Sequence, residues 1–412
     1  MEKLKVALAS DWYFPKVGGI EYHIHELALN LMRLGHEPHV LTHDYRHHTP
    51  PPRDNVPYPV HRLRGLFYFK RGHVSLGPGM LLEANRIYKR VGFDITHIHS
   101  IYSPLAIAIA NLSRGIRGVP VVATNHSLFS WHSRAARYLV RPLLRHFLRR
   151  VDAFIAISRA VERDTRRLLG RSLRGRPVYL IPNGVDTRFW RPPEPEERLK
   201  ARRELGLGER DVAVLSVGRM TRRKRIHTVP GTLAKASSLV NGGRRLALLI
   251  VGDGELRGLV EAEAARYRDS FSVVHLSGFV GRERLRSYYW AADILYIPSS
   301  LEALSLVALE ASATGLPVVG WNGSGLEDVV VDGVTGFLGR SDSEAAEKIA
   351  WLASSEELRI RMGAKAAERV QRLFSWETVI RLIVNAYYET IKSAEAVDKR
   401  YLLYRAWRAI KG

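Results

Sequence analysis

The chain contains no cysteine, which excludes disulfides, thiolate nucleophiles and Cys-ligated zinc or iron–sulfur centres. No uninterrupted apolar run approaches the ~18 residues of a spanning helix. After Met1 the chain passes almost directly into the strand-like Val6-Ala7-Leu8-Ala9, without the basic and apolar regions of a secretory leader. A cytoplasmic protein, soluble or peripheral on the cytoplasmic face of a membrane, is the expectation. Two phosphate motifs are also missing, the Gly-x4-Gly-Lys-Ser/Thr loop and any Asp-x-Asp that would clamp a metal onto a diphosphate. Acidic residues are scarce, 41 Asp and Glu against 63 Lys and Arg, for a net charge of +22. That excess favours anionic partners such as phosphates, acidic lipid surfaces or nucleic acid, and does not choose among them.

What the chain does contain is 412 residues, 46% apolar and 25% charged, the composition of a soluble protein with two domains. In the first half, short apolar runs alternate with helical patterns: Val6 to Ser10, Val40 to Thr42, Ile95 to His99, Val121 to Thr124, Phe154 to Ile157 and Val178 to Ile181. Such alternation predicts a parallel sheet covered by helices. Ile20, Ile24, Leu27, Leu31 and Leu34 recur at helical spacing, and Gly35 follows where the helix ends. Pro182-Asn183-Gly184 and the proline-rich Arg191-Pro192-Pro193-Glu194-Pro195 mark a domain boundary. A second series follows: Val214 to Val217, Leu246 to Val251, Val273 to Leu276, Ile294 to Ile297 and Pro317 to Gly320. The predicted organisation is a domain over 1–190, a second over 191–375, and a helical tail over 376–412 that lies back across the first domain.

The second half carries the more informative constellation. Glu302 stands just after the Ile294 to Ile297 run and before an apparent helix, and Glu310 follows eight residues later, ~2.2 turns or ~12 Å along a helix axis. A helix N-terminus at the carboxyl end of a parallel strand offers free amides to a phosphate, so the backbone at Ala303, Leu304 and Ser305 suits a diphosphate. Two ordinary solvent-facing glutamates are the alternative. Gly218-Arg219 ends a strand and leads to Lys224, placing a planar guanidinium and a point-charge amine in one loop, the pairing a diphosphate requires. Arg222, Arg223 and Arg225 are equally readable as solvated surface charge, and Val251-Gly252-Asp253-Gly254 reads as a tight turn.

In the first half, Pro15-Lys16-Val17-Gly18-Gly19 joins the first strand to the first helix. The glycines permit either close approach of a ligand or simply a tight turn. Glu21, Tyr22 and His23 project from the first helical turn, and His126 follows a strand at its carboxyl end. His97 and His99 lack identifiable further metal ligands, and His23 with His25 and His47 with His48 make no better case; no metal is expected. Between His132 and Val151 lie six arginines, Arg134 to Arg150, with no acidic residue. They form a basic amphipathic helix, which Pro142 interrupts early, suited to anionic lipid or simply to a solvated basic face.

Taken together, these motifs resemble the retaining GT-B glycosyltransferases, a family that includes bacterial phosphatidylinositol mannosyltransferases and sucrose-phosphate synthases. The resemblance rests on Glu302-x7-Glu310 within Pro-Ser…Glu…Glu-Ala…Gly-Leu-Pro-Val-Val, on Gly218-Arg219…Lys224, on Ile181-Pro182-Asn183-Gly184-Val185-Asp186, and on Gly323-Ser324-Gly325. It implies an α/β GT-B fold, two Rossmann-like doubly wound domains facing a central cleft that holds the donor. It implies that Arg219 and Lys224 hold the donor diphosphate and Glu302 the donor sugar, while Glu310 takes the ribose hydroxyls and His126 lies near the reacting carbon. Gly18, Gly19, Gly278, Phe279, Val280 and the backbone of Ala303 to Ser305 complete the implied donor site, with Glu21, Tyr22, His23 and Asn183 toward the acceptor. Ser10 to Pro15, Gly18 to Ile24 and Asn125 to Phe129 look most like the branch that adds N-acetylglucosamine to phosphatidylinositol, so UDP-N-acetylglucosamine is the expected donor and a lipid or glycan the acceptor. Ala303-Leu304-Ser305 replaces the commoner Gly-Phe-Gly, and Arg225 replaces a frequent glycine.

The expected chemistry is departure of the nucleotide diphosphate, stabilised by Arg219, Lys224 and helix-terminus amides, without metal or other cofactor, as the acceptor hydroxyl attacks from the same face. A nucleotide-sugar epimerase of the same shape is the alternative enzyme, and it would turn over the donor without acceptor. A nucleic-acid-binding protein is the distant alternative. No recognition helix, zinc spacing or aromatic-glycine motif supports it, and no nucleic acid is expected as partner.

Overall fold

The computed structural model describes residues 2–15, 18–44, 55–65, 67–69, 74–129 and 134–411. The chain divides into two compact units, Met1–Pro182 with Val379–Gly412, and Asn183–Thr378.

The first unit is built on a seven-stranded, wholly parallel sheet. Its strands are β1 (Lys5–Ala9), β2 (Glu37–His43), β3 (Val60–Leu63), β6 (Ile95–His99), β7 (Val121–Asn125), β8 (Ala153–Ala156) and β9 (Val178–Leu180), with β4 (Phe67–Phe69) and β5 (Val74–Leu76) forming a separate antiparallel pair. The order is β3-β2-β1-β6-β7-β8-β9, so the winding reverses between β1 and β6. Parallel strands covered on both faces are read as continuous apolar runs, and Val6 to Ala9 are wholly buried. The helix Gly19–Arg33 presents Ile24, Leu27, Ala28 and Leu31 to the core, and Gly35, at φ +84°, follows its end. Most of the long helix Trp376–Lys411 belongs to this unit, where its Tyr387 reaches His97 on β6. Pro142 is carried within the helix Arg134–Phe147 and does not end it, contrary to the early break expected from the sequence. Proline costs a helix most where it deletes an internal bond, yet a bend can absorb it.

The second unit repeats the plan with six parallel strands, β10 (Asp211–Val217), β11 (Arg245–Val251), β12 (Val274–Ser277), β13 (Ile294–Ile297), β14 (Val318–Trp321) and β15 (Gly336–Gly339), in the order β12-β11-β10-β13-β14-β15. Here the winding reverses between β10 and β13. Ligands of open α/β sheets bind outside the carboxyl ends of the strands at such a reversal, so each unit has one place where the topology alone predicts a site.

Candidate functional site

In the second unit, the loops leaving β10 and β13 meet at that reversal. The first carries Gly218, Arg219 and Lys224; the second carries Ser299 to Ser305. Lys224 Nζ donates to Glu302 Oε1 at 2.7 Å. The carboxylate side chain is 6% exposed and the ammonium-bearing one 24%. A carboxylate that deep is costly unless paired, and the contact with Lys224 supplies the partner and fixes the lysine side chain against the loop. Arg219 is exposed.

Two features of this loop pair differ from the expectation. The helix does not begin directly after Glu302 but spans Leu306–Ala313, because Ser305 sits at φ +85° and acts as its N-cap, its Oγ accepting from the Ala308 amide. Glu302 therefore lies in the loop before the helix, and the two-turn helical separation from Glu310 does not apply. The second feature explains the two departures from glycine: Ser305 and Arg225 both have positive φ, +85° and +54°, a region that costs a side-chain-bearing residue about 1–2 kcal/mol. Arg225 offsets this with an ion pair to Asp342 at 2.7 Å and by lying 4.3 Å over the Trp321 ring. Gly325 braces the loop from β14. Its amide donates to the Glu302 carbonyl at 2.8 Å, and a Cβ there would lie 1.9 Å from the Ala303 carbonyl oxygen. Gly252, read from sequence as a turn residue, is pressed against the β10 loop, with the Gly218 oxygen 2.0 Å from where its Cβ would be.

Glu310, on the helix, is half-buried and accepts a hydrogen bond from Tyr289 Oη at 3.0 Å. Burial pushes its carboxyl up to about 7, against the lowering effect of the Tyr289 bond. Tyr289 is itself fixed edge-on against Trp190, ring centroids 5.4 Å apart. The tyrosine carries no motif, and nothing in the sequence marks it as Glu310's partner. Gly278, Phe279 and Val280 follow β12; Phe279 is 70% exposed and the other two half-buried. Asn183 is buried, and no hydrogen-bond partner reaches its Oδ1 among the described residues.

The first unit's reversal gathers different chemistry. Gly18 is the N-cap of the helix Gly19–Arg33, and Glu21 and His23 are buried in its first turn, Tyr22 half-buried beside them. His23 meets His99 from the end of β6 and His126 from beyond β7. One nitrogen from each lies within 4.8 Å of the others, and His99 Nδ1 stands 3.1 Å from His126 Nε2. Proximity along the chain pairs His97 with His99 and His23 with His25, and the fold regroups them. His97 is held by Tyr387 Oη and Thr124 Oγ1, both at 2.6 Å, and His25 by Tyr58. Burial depresses the whole group: His23 and His97 are pushed down to about 3, and His99 and His126 well below the ordinary imidazole value. All four rings are neutral at pH 7.

Of the basic helix, Arg141 and Arg145 donate through Nε to the Leu168 carbonyl at 3.1 and 2.8 Å, capping the neighbouring helix Arg159–Leu169 as cations do at a C-terminus. Leu143, Phe147 and Arg149 remain exposed. Lys16, Val17, His47, His48 and His132 lie outside the described residues, as do the side chains of 134–140, including Arg134 and Arg137.

Residues 17–189 match Glycosyltransferase Family 4, and residues 197–369 match Glycosyl transferases group 1. Across 98% of its length the chain is 26% identical to a phosphatidylinositol N-acetylglucosaminyltransferase component of Arabidopsis thaliana, covering 86% of that protein. It is 28% identical to the D-inositol 3-phosphate glycosyltransferase of Xylanimonas cellulosilytica, over 92% of this chain and 93% of that one. Among solved structures it is similar to Anabaena Alr3699/HepE in complex with UDP-glucose, with a TM-score of 0.74 at 19% identity over 94% of this chain and all of that one.

Proposed function

The chain belongs to the GT-B glycosyltransferases, and on that premise we propose that it moves N-acetylglucosamine from UDP-N-acetylglucosamine to an inositol-bearing lipid, with retention and without a metal. The observation that carries the reading is the Lys224–Glu302 pair at the strand reversal of the second unit. An incoming diphosphate competes for the Lys224 ammonium together with exposed Arg219, and the carboxylate released from that pairing accepts hydrogen bonds from sugar hydroxyls. Binding energy is thereby directed at the atoms that gain charge as the nucleotide departs, where fixed cations accelerate transfer most. Glu310 takes the ribose hydroxyls. In the first unit, neutral His126 serves as a hydrogen-bonding group for the sugar, with Glu21, Tyr22 and His23 toward the acceptor.

The inositol acceptor is supported by two relatives whose names carry inositol, and the uridine nucleotide by the UDP-glucose bound to the Anabaena neighbour. Exposed Leu143 and Phe147 beside Arg149 support a peripheral, lipid-facing role for the helix Arg134–Phe147. The test is incubation with UDP-N-acetylglucosamine, UDP-glucose or GDP-mannose and either phosphatidylinositol or inositol 3-phosphate, in the presence and absence of EDTA. Mass spectrometry identifies the product and NMR its anomeric linkage. An α-linked N-acetylglucosaminyl lipid formed at an EDTA-independent rate is expected. Donor turnover without acceptor, or no product on either inositol compound, overturns the reading.

A further inference from the structure

We propose that His23, His99 and His126 form a three-histidine site for Zn2+ or a similar divalent transition ion. The three come from separate elements, the first turn of the helix Gly19–Arg33, the end of β6 and the loop after β7, and all are buried, at 4%, 0% and 8% exposure. Zinc holds imidazole nitrogens at ~2.0–2.1 Å in a tetrahedral shell, so neighbouring nitrogens stand about 3.3 Å apart. The His99 Nδ1 to His126 Nε2 edge is already 3.1 Å, and no ligating pair exceeds 4.8 Å. Small rotations of the His23 ring, whose centroid is 4.9 Å from that of His126 and 5.5 Å from that of His99, close the remaining edges.

The donor set selects the ion. Three imidazoles with no carboxylate in the group suit Zn2+, Co2+ or Ni2+ and not Mg2+ or Ca2+, which require oxygen. A metal ligand must also be free of its proton. Binding therefore displaces the proton that His99 Nδ1 and His126 Nε2 share. His97 is not a fourth ligand. Both its nitrogens are engaged by Tyr387 and Thr124, and its ring packs 4.2 Å from that of His99, fixing the floor of the site. Three protein ligands leave one position of the tetrahedron open, the arrangement of sites that exchange a bound water for an oxygen ligand. The metal takes the lone pair of His126, so it is an occupant that competes with the hydrogen-bonding role given to that residue above, not a partner of the donor diphosphate. The inference rests on the cluster alone.

The test uses the metal-stripped full chain without sugar nucleotide. Titration with Co2+ is expected to saturate at one equivalent with the intense visible absorption of a four-coordinate site, and Zn2+ is expected to abolish that spectrum stoichiometrically. His23→Ala and His126→Ala are each expected to weaken binding ~100-fold or more, while His146→Ala, at an exposed position on another helix, retains it. As a second measurement on the unsubstituted protein, Zn2+ raises the melting temperature and Mg2+ does not. Unchanged affinity in both cluster variants, only the weak spectrum of six-coordinate Co2+, or a melting temperature that Zn2+ leaves in place overturns the proposal. No glycosyl transfer is read, so failure here leaves the donor assay untouched, and failure of that assay leaves this one standing.

Discussion

The two units share one winding pattern, and each gathers its polar side chains where the strand order reverses, yet the chemistry collected there is opposite. The second unit assembles charge: a paired lysine and glutamate, an exposed arginine, and a carboxyl raised by burial. The first assembles four imidazoles so deeply buried that none carries charge at pH 7. Topology chooses the place, and the depth of the strand-end residues sets the kind of chemistry. Cations half in water can neutralise a diphosphate, whereas dry neutral rings offer lone pairs and single protons.

The contrast has opposite signs in acid, and that is the largest effect expected. His23 and His97 titrate near 3 in the fold against 6.5 when free, so the unfolded chain binds the more protons below 6.5. The stability of the first unit is therefore complete above pH 6.5 and is lost as pH falls toward 3. At ~1.4 kcal/mol per pH unit per group, these two histidines together remove roughly 5 kcal/mol between pH 6.5 and 4.5. Glu310 runs the other way. Its folded value of about 7 exceeds the free value of 4.5, so its contribution is complete below 4.5 and disappears as pH rises through 7. Hydrogen exchange resolved by residue, followed from pH 7 to 4.5, should show β6 and β7 losing protection before β10 and β13; simultaneous loss breaks the comparison.

Next in size, Lys224→Ala should lower the transfer rate by ~100-fold or more, and Glu302→Gln should restore none of it in the double variant. A Lys224→Ala enzyme with an unchanged rate would mean that charge is not what the second unit contributes. On the structural side, Tyr387→Phe removes a 2.6 Å bond from buried His97. It should cost ~1–3 kcal/mol in urea unfolding without altering UDP-glucose affinity. The smallest effect sharpens the second unit by itself: UDP-glucose should bind up to ~10-fold more tightly at pH 8 than at pH 6, as Glu310 ionises to accept the ribose hydroxyls. Glu310→Gln should flatten that profile, and a profile that persists in the variant assigns the titration to another group.

Much of the fold is legible because buried parallel strands are bound to be apolar throughout. Ile95–His99 and Ile294–Ile297 occur with the limits read from sequence. The strands that escape such a reading are edge strands. Val60–Leu63 carries half-buried His61 and Arg62, and Gly336–Gly339 is half glycine; one open side relieves a strand of the need for an unbroken apolar run. The helix start is hidden for a similarly local reason, since nothing in Ala303-Leu304-Ser305 announces that Ser305 takes a left-handed conformation.

Residue type and spacing were enough to say which loops carry clustered cations, which carry carboxylates, and that both halves wind alike, because those properties repeat along the chain at short range. They could not say that Lys224 grips Glu302 78 residues away, that Tyr289 props Glu310, or that His23, His99 and His126 share one space. Those pairings, and the protonation they impose, exist only when helices and strand ends close over the side chains. Desolvation then sets whether a carboxyl keeps its proton and an imidazole refuses one, and it is a property of depth that no linear pattern records.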